Sequence, residues 1–120
     1  MPKIDVMMFI EDDGTVPLLN WLDSLPEKAQ DKCIARIERL STMGYELRRP
    51  EADYLRDGIY ELRVTLQGIQ YRILYFFSGK QAVVSHGLIK ESKVTSKEID
   101  LAIERKVRFS ENSLIHTYLE

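Results

Sequence analysis

The sequence predicts an α+β fold in the order strand-helix-helix-strand-strand-strand-helix, with a small, largely antiparallel sheet and its helices on one face. Three observations carry this. Two helical apolar repeats lie back to back in the first half, three strand-like runs follow one another across short glycine turns, and one more helical repeat comes near the end. The 120 residues are 30% charged and 44% hydrophobic, without a low-complexity run or repeat. That suits one soluble domain with a single core.

Residues 4–10 are β-prone and stop at the turn-forming Glu11-Asp12-Asp13-Gly14. These three acids are expected to be a solvated turn rather than a cation site. Thr15 can cap a helix with Pro17 in its first turn and Val16, Leu18, Leu19, Trp21, Leu22 and Leu25 on its apolar side. Pro26 ends it. A second helix covers residues 27–43, where Ala29, Cys33, Ile34, Ile37 and Leu40 recur at helical spacing and Gly44 stands as C-cap. Cys33 therefore points inward as an inert thiol. Residues 45–58 are expected to be a connection.

The stretch YELRVTLQGIQYRILYF, residues 60–76, reads as a hairpin about Gln67-Gly68. Counting outward, Val64 opposes Tyr71, Leu62 opposes Ile73 and Tyr60 opposes Tyr75, an apolar face for the core. The other face pairs Thr65 with Gln70, Arg63 with Arg72 and Glu61 with Leu74. Two guanidiniums directly opposed cost roughly 0.2–1 kcal/mol, which a wet face tolerates and a bound anion reverses. A third strand covers 81–88. A three-residue loop Ser78-Gly79-Lys80 sets Tyr75 against Val83 and Arg72 against His86, and a two-residue loop sends His86 to the other face. Residues 97–107 form the last helix, with Ile99, Ala102, Ile103 and Lys106 at helical spacing.

The net charge of −2 argues against a generic nucleic-acid coat, yet residues 1–60 carry 8 Lys+Arg against 12 Asp+Glu and residues 61–120 carry 9 against 7. An anion-binding surface belongs in the second half. The single cysteine permits no internal disulfide, the opening apolar run is interrupted by Asp5, and nothing approaches the ~20 apolar residues of a membrane span. A cytoplasmic protein with no membrane role is expected. His86 and His116 lie far apart, and no Cys/His/carboxylate cluster has metal-ligand spacing.

The stretches WLDSLPEKAQDK, LRDGIYELRV, YRILYFF and HGLIKESKVTSKEIDLAIER, in this order, resemble the RelE/HigB superfamily of toxins, most closely its phage-derived HigB-like branch. The resemblance covers about residues 4–107 and leaves 108–120 as a C-terminal extension of one domain, 1–120. It implies a RelE-like fold and the toxin of a type II toxin–antitoxin system. Such a toxin is a metal-independent, cofactor-free, ribosome-dependent endoribonuclease that cuts mRNA, inhibits translation and is silenced by a small helix-turn-helix antitoxin. The family arginines fall on Arg63 and Arg72 and its first lysine on Lys90. Where the family often has a second lysine and a following proline, this chain has Glu91 and Ser96, and Lys93 stands nearby as a replacement charge. Lys93, Lys97 and Gln70 complete the implied RNA-binding set.

Metal-free RNA cleavage needs a base for the 2′-hydroxyl, cations for the phosphorane and an acid for the leaving 5′-oxygen. Arg63 and Arg72 suit the second role, with Lys90 assisting, on a solvent-reachable surface opposite the first two helices. Glu61 and His86 are the candidate bases; Glu61 equally suits a salt-bridge partner, and His86 a structural histidine. Tyr60, Tyr71 and Tyr75 fall on the core side, which removes them as base-stacking platforms. The competing reading is a non-catalytic module that keeps the antitoxin interface.

Overall fold

The computed structural model describes residues 3–90 and 93–118. Strand β1 (Asp5–Met8) is followed by helices α1 (Pro17–Asp23) and α2 (Glu27–Met43) and by a single 3₁₀ turn (Gly44–Glu46). Strands β2 (Ala52–Arg56), β3 (Ile59–Leu66), β4 (Ile69–Ser78) and β5 (Gln81–Ile89) then lead into helix α3 (Ser96–Glu111). One five-stranded sheet results, in the order β1-β5-β4-β3-β2, with β1 parallel to β5 and the other pairs antiparallel. The α+β class is as expected.

Pro17 opens α1 and Val16, not Thr15, is its N-cap residue. Pro26 both separates the helices and stands at the N-cap of α2. Ala29, Cys33 and Leu40 turn inward, while Ile34 is left exposed on the flank. Burial pushes the Cys33 thiol up to about 11, consistent with an inert core position.

The β3–β4 register matches the count from the turn at every pair, Arg63 against Arg72 included. Gln67 (φ 52) and Gly68 (φ 80) both sit at positive φ, the pattern of a type I′ turn. Asp57 (φ 52) and Gly58 (φ 83) repeat it, and the segment ahead of them is not a plain connection but β2, paired to β3 with Tyr54 against Tyr60. Asp-Gly is among the strongest hairpin signals, so β2 was within reach of the sequence.

The β4–β5 register differs from the expectation. The loop is two residues, Gly79-Lys80, with Ser78 against Gln81, which by itself sends His86 to the helix side. A register shift between Leu74 and Tyr75 then leaves Ser85 as the extra residue of a bulge and restores the parity. His86 returns to the arginine face, opposite Leu74 instead of Arg72.

The helices do not share one face, which corrects the expectation of a one-sided sheet. Helices α1 and α2 cover Leu62, Val64, Tyr71, Ile73 and Tyr75, whereas α3 crosses the other side, packing Ile99, Ala102 and Phe109 with Leu74, Phe76 and Val83. The reason lies in β4, buried without a break from Tyr71 to Phe76. Within it Ile73 to Phe76 is a continuous apolar run, which needs cover on both faces. Helix α3 accordingly runs past residue 107 until Phe109 meets Phe76 edge-on at 6.0 Å. Among the described residues, no helix is long and apolar enough to cross a membrane.

On the α1 side Gly87 leaves room for Trp21: a Cβ there would lie 2.1 Å from the indole Cε3. Gly87→Ala is expected to cost about 1–3 kcal/mol by overpacking, read by thermal melting, and to cost less in a Trp21→Leu background.

Candidate active site

Helix α3 leaves the Arg63 end of its sheet face open, and a groove of about 820 Å³ remains there. Its floor is the strands' polar face, one wall is β2, and Val94, Thr95 and Ser96 at the start of α3 form the other. Five cations line it (Arg49, Arg56, Arg63, Arg72 and Lys93) against two carboxylates, Asp53 and Glu61. The helix start adds amide N–H groups and the positive end of its dipole, since Thr95 makes no side-chain cap.

Glu61 organises the centre. Its Oε2 accepts from Arg72 Nη1 at 3.0 Å and lies 3.5 Å from Arg63 Nε, so one carboxylate bridges the two opposed guanidiniums. Arg72 Nη2 also donates to Gln70 Oε1 at 3.2 Å. Arg72 is not on an exposed surface, as the hairpin alone implied: it is 4% exposed, as is Glu61, because the neighbouring strands and α3 close over the middle of β4. Arg63 keeps about a third of its side chain in solvent. Glu61 Oε1 and Arg72 Nε are buried with no hydrogen-bond partner among the described residues. Such groups are costly unless something else meets them.

Around this centre the cations differ in freedom. Arg49 is held by Asp53 at 2.8 Å, and Arg56 by Asp57 at 2.9 Å and Asp100 at 2.6 Å. Lys93 is exposed and forms no ion pair among the described residues. Of the residues expected at the site, the structure brings together Glu61, Arg63, Gln70, Arg72 and Lys93. Lys90 and Lys97 do not line the groove: Lys90 is half-buried with its N–H on the Gln70 carbonyl at 3.1 Å, and Lys97 is exposed in the first turn of α3. Glu91 lies outside the described residues. Arg49, Arg56 and Tyr54 join the site because residues 52–56 form a strand instead of the expected connection.

His86 belongs to a second network beneath α3. Its Nε2–H donates to Glu98 Oε1 at 2.8 Å, and Nδ1 accepts from the Ser85 hydroxyl at 2.8 Å. Ser85 Oγ in turn accepts from Arg105 Nη1 at 3.3 Å, and Arg105 is clamped on Glu11 at 2.9 Å. Both imidazole nitrogens are thus engaged away from the arginines. Burial, with Arg105 adding to it, pushes His86 below its ordinary value against the opposing pull of Glu98. Burial would raise Glu11, but hydrogen bonds from Arg105 and Arg108 outweigh it and hold the carboxyl low. The last described residues pack beside it: His116 stacks on Phe9 at 4.8 Å, and Tyr118 N–H donates to the Met8 carbonyl at 2.9 Å. Among the described residues no three His, Cys, Asp or Glu side chains converge as a metal site.

The model of a family described as phage derived protein, Gp49-like, matches residues 20–107. The chain belongs to this family. Gp49-like proteins are a family of RelE/HigB-type toxins, and the matched stretch holds every groove residue named above. The segment 112–118 and β1, which pack on each other, lie outside it. No curated protein matches the chain significantly.

Two measurements test the geometry. Removing Arg72 leaves a buried carboxylate short of its nearest cation, so Arg72→Ala should cost about 3–5 kcal/mol in chemical denaturation, and replacing both partners by apolar residues (Arg72→Met with Glu61→Leu) should cost much less. For His86, the unfolded side chain takes a proton near 6.5 while the folded one resists it. Its contribution is therefore present above about pH 6.5 and lost as pH falls through the lower folded value. Thermal melts from pH 7.5 to 5 should show a decline that His86→Gln flattens.

Proposed function

We propose that this Gp49-like protein is the toxin of a type II toxin–antitoxin system, a metal-independent endoribonuclease that cuts mRNA on the ribosome and so inhibits translation. The observation that carries the reading is Glu61 held between Arg63 and Arg72 on the floor of a groove with an excess of cations. The groove matches a polyanion, and its centre pairs a carboxylate with two guanidiniums at hydrogen-bond range.

In the proposed reaction the 2′-oxygen attacks the adjacent phosphorus, the bond to the 5′-oxygen breaks, that oxygen takes a proton from water in the open groove, and a 2′,3′-cyclic phosphate and a 5′-hydroxyl end result. Glu61, a carboxylate on the lining of the groove, takes the 2′-hydroxyl proton. Arg72 and Arg63 stabilise the charge that grows on the non-bridging oxygens as the phosphorane forms. Lys93 takes the place given to Lys90 in the resemblance, and Gln70 orients Arg72. His86 holds α3 against the sheet, with both of its nitrogens occupied. The partner that silences the protein is a small antitoxin covering the basic groove or the start of α3 beside it, where an acidic or helical segment excludes RNA by charge and volume.

A second reading has its own observation: a buried Glu61–Arg72 pair is also a common structural element, which suits a module that keeps the antitoxin interface and does not cleave. One experiment separates the two. Arg63 is part-exposed, so Arg63→Ala should fold normally and lose about 10²–10³ in ribosome-dependent mRNA cleavage. Unchanged cleavage would remove the groove from the reaction. A wild-type protein that binds its antitoxin yet neither cleaves mRNA nor slows translation would establish the second reading.

A further inference from the structure

A smaller pocket of about 430 Å³ opens at the free edge of the sheet, beyond β2. Leu47, Ala52, Tyr54 and Tyr60 give it apolar walls, and Arg48 and Arg49 stand at its margin. It shares Arg49, Asp53 and Tyr54 with the arginine groove, so the two are neighbouring parts of one surface that turns around the sheet edge. Tyr54 is 52% exposed, an unusual state for a large ring on a strand. It is nonetheless held: its hydroxyl accepts from Gly58 N–H at 3.0 Å, and its ring meets Tyr60 at 5.0 Å with an interplanar angle of 68°.

We propose that this pocket is a base-binding subsite, in which Tyr54 stacks on a nucleobase of single-stranded RNA whose backbone lies in the arginine groove. The proposal rests on the RNA reading of that groove. Three features favour a base. An exposed ring that is already ordered offers a stacking face at little entropic cost. The apolar interior repels a phosphate, while the exposed Arg49 at the margin suits the charged backbone beside a flat, weakly polar ring. The pocket also shares Arg49, Asp53 and Tyr54 with the groove, so one strand that turns around the sheet edge can reach both. Arg48 is committed to the carbonyls of Tyr45 and Leu47 and acts as wall. Asp53, clamped by Arg49, offers a fixed carboxylate to an exocyclic amine at the shared margin. Tyr71 and Tyr75 stay in the core as expected, and Tyr60 contributes only as the ring behind Tyr54.

The test compares a short 2′-O-methyl RNA, which cannot be cleaved, with an abasic phosphodiester oligomer of the same length, by fluorescence anisotropy at fixed salt. Wild type should prefer the RNA, Tyr54→Ala should bind it about tenfold more weakly and lose far less for the abasic oligomer, so that the preference collapses, and Tyr54→Phe should behave as wild type because it keeps the ring. Arg63→Ala should weaken both oligomers. Equal wild-type affinity for the two overturns the base subsite alone and leaves the RNA reading standing, a result that needs no variant to fold. Binding of neither oligomer overturns the base subsite and the groove as a stand-alone RNA site, while ribosome-dependent cleavage remains the separate test of the proposed function. Unchanged RNA binding in Tyr54→Ala, with loss of a protein partner instead, would give the pocket to a protein segment and overturn the proposal.

Discussion

The register between β3 and β4 governs this molecule. Side chains alternate with a period of two, so a slip of one residue would exchange the two faces of the hairpin and carry Leu62, Val64 and Ile73 out of the core. The two-residue turn at Gln67-Gly68 blocks that slip by accepting positive φ at both positions. With the register held, Arg63 and Arg72 must oppose each other. Everything at the groove answers that juxtaposition. Glu61, diagonal to Arg72, bridges both guanidiniums, and Gln70 takes a further donor of Arg72. The repulsion that two facing arginines would feel in a bare sheet is converted into a buried, ordered charge cluster.

Burial gives this cluster its chemical character. Arg72 and Glu61 lie in the middle of the sheet under cover from both sides, where charge interactions are weakly screened and leaving one partner alone is expensive. Arg63 and Lys93 stay wet at the margin and can reorganise around an incoming anion. A rigid centre with an adaptable rim is a suitable arrangement for holding a phosphodiester while charge moves on it, because the central donors need no reorganisation. Helix α3 provides the cover and also forms one wall with its first turn, so the element that buries the pair also bounds the groove.

The seating of α3 depends on a second polar network. Glu11, Arg105, Ser85, His86 and Glu98 form an unbroken chain from the loop after β1 to the first turn of the helix. The bulge at Ser85 makes this possible by returning His86 to the α3 side. The last described residues reinforce the same corner, with Thr117 bridged to Phe9 and His116 stacked on it. The site and its cover are therefore stabilised by different residues.

By itself the sequence determined what local chemistry decides. Helical spacing, prolines at the first two helix starts and a two-residue turn placed the three helices and the β3–β4 pairing, down to the two facing arginines, because these depend on neighbours a few positions apart. It also carried the family motifs, and with them Arg63, Arg72 and Lys90, while strand parity put Glu61 on the same face as the arginines. Signals for β2 and for a sheet covered on both sides were present in Asp57-Gly58 and in the unbroken apolar run from Ile73 to Phe77. Only the tertiary structure decided the rest. Burial of Arg72, the position of His86, the distance of Lys90 and Lys97 from the groove and the joining of Tyr54 to it all turn on a bulge, a helix crossing and a sheet edge. Those features bring together residues remote in sequence, whose proximity no local pattern encodes.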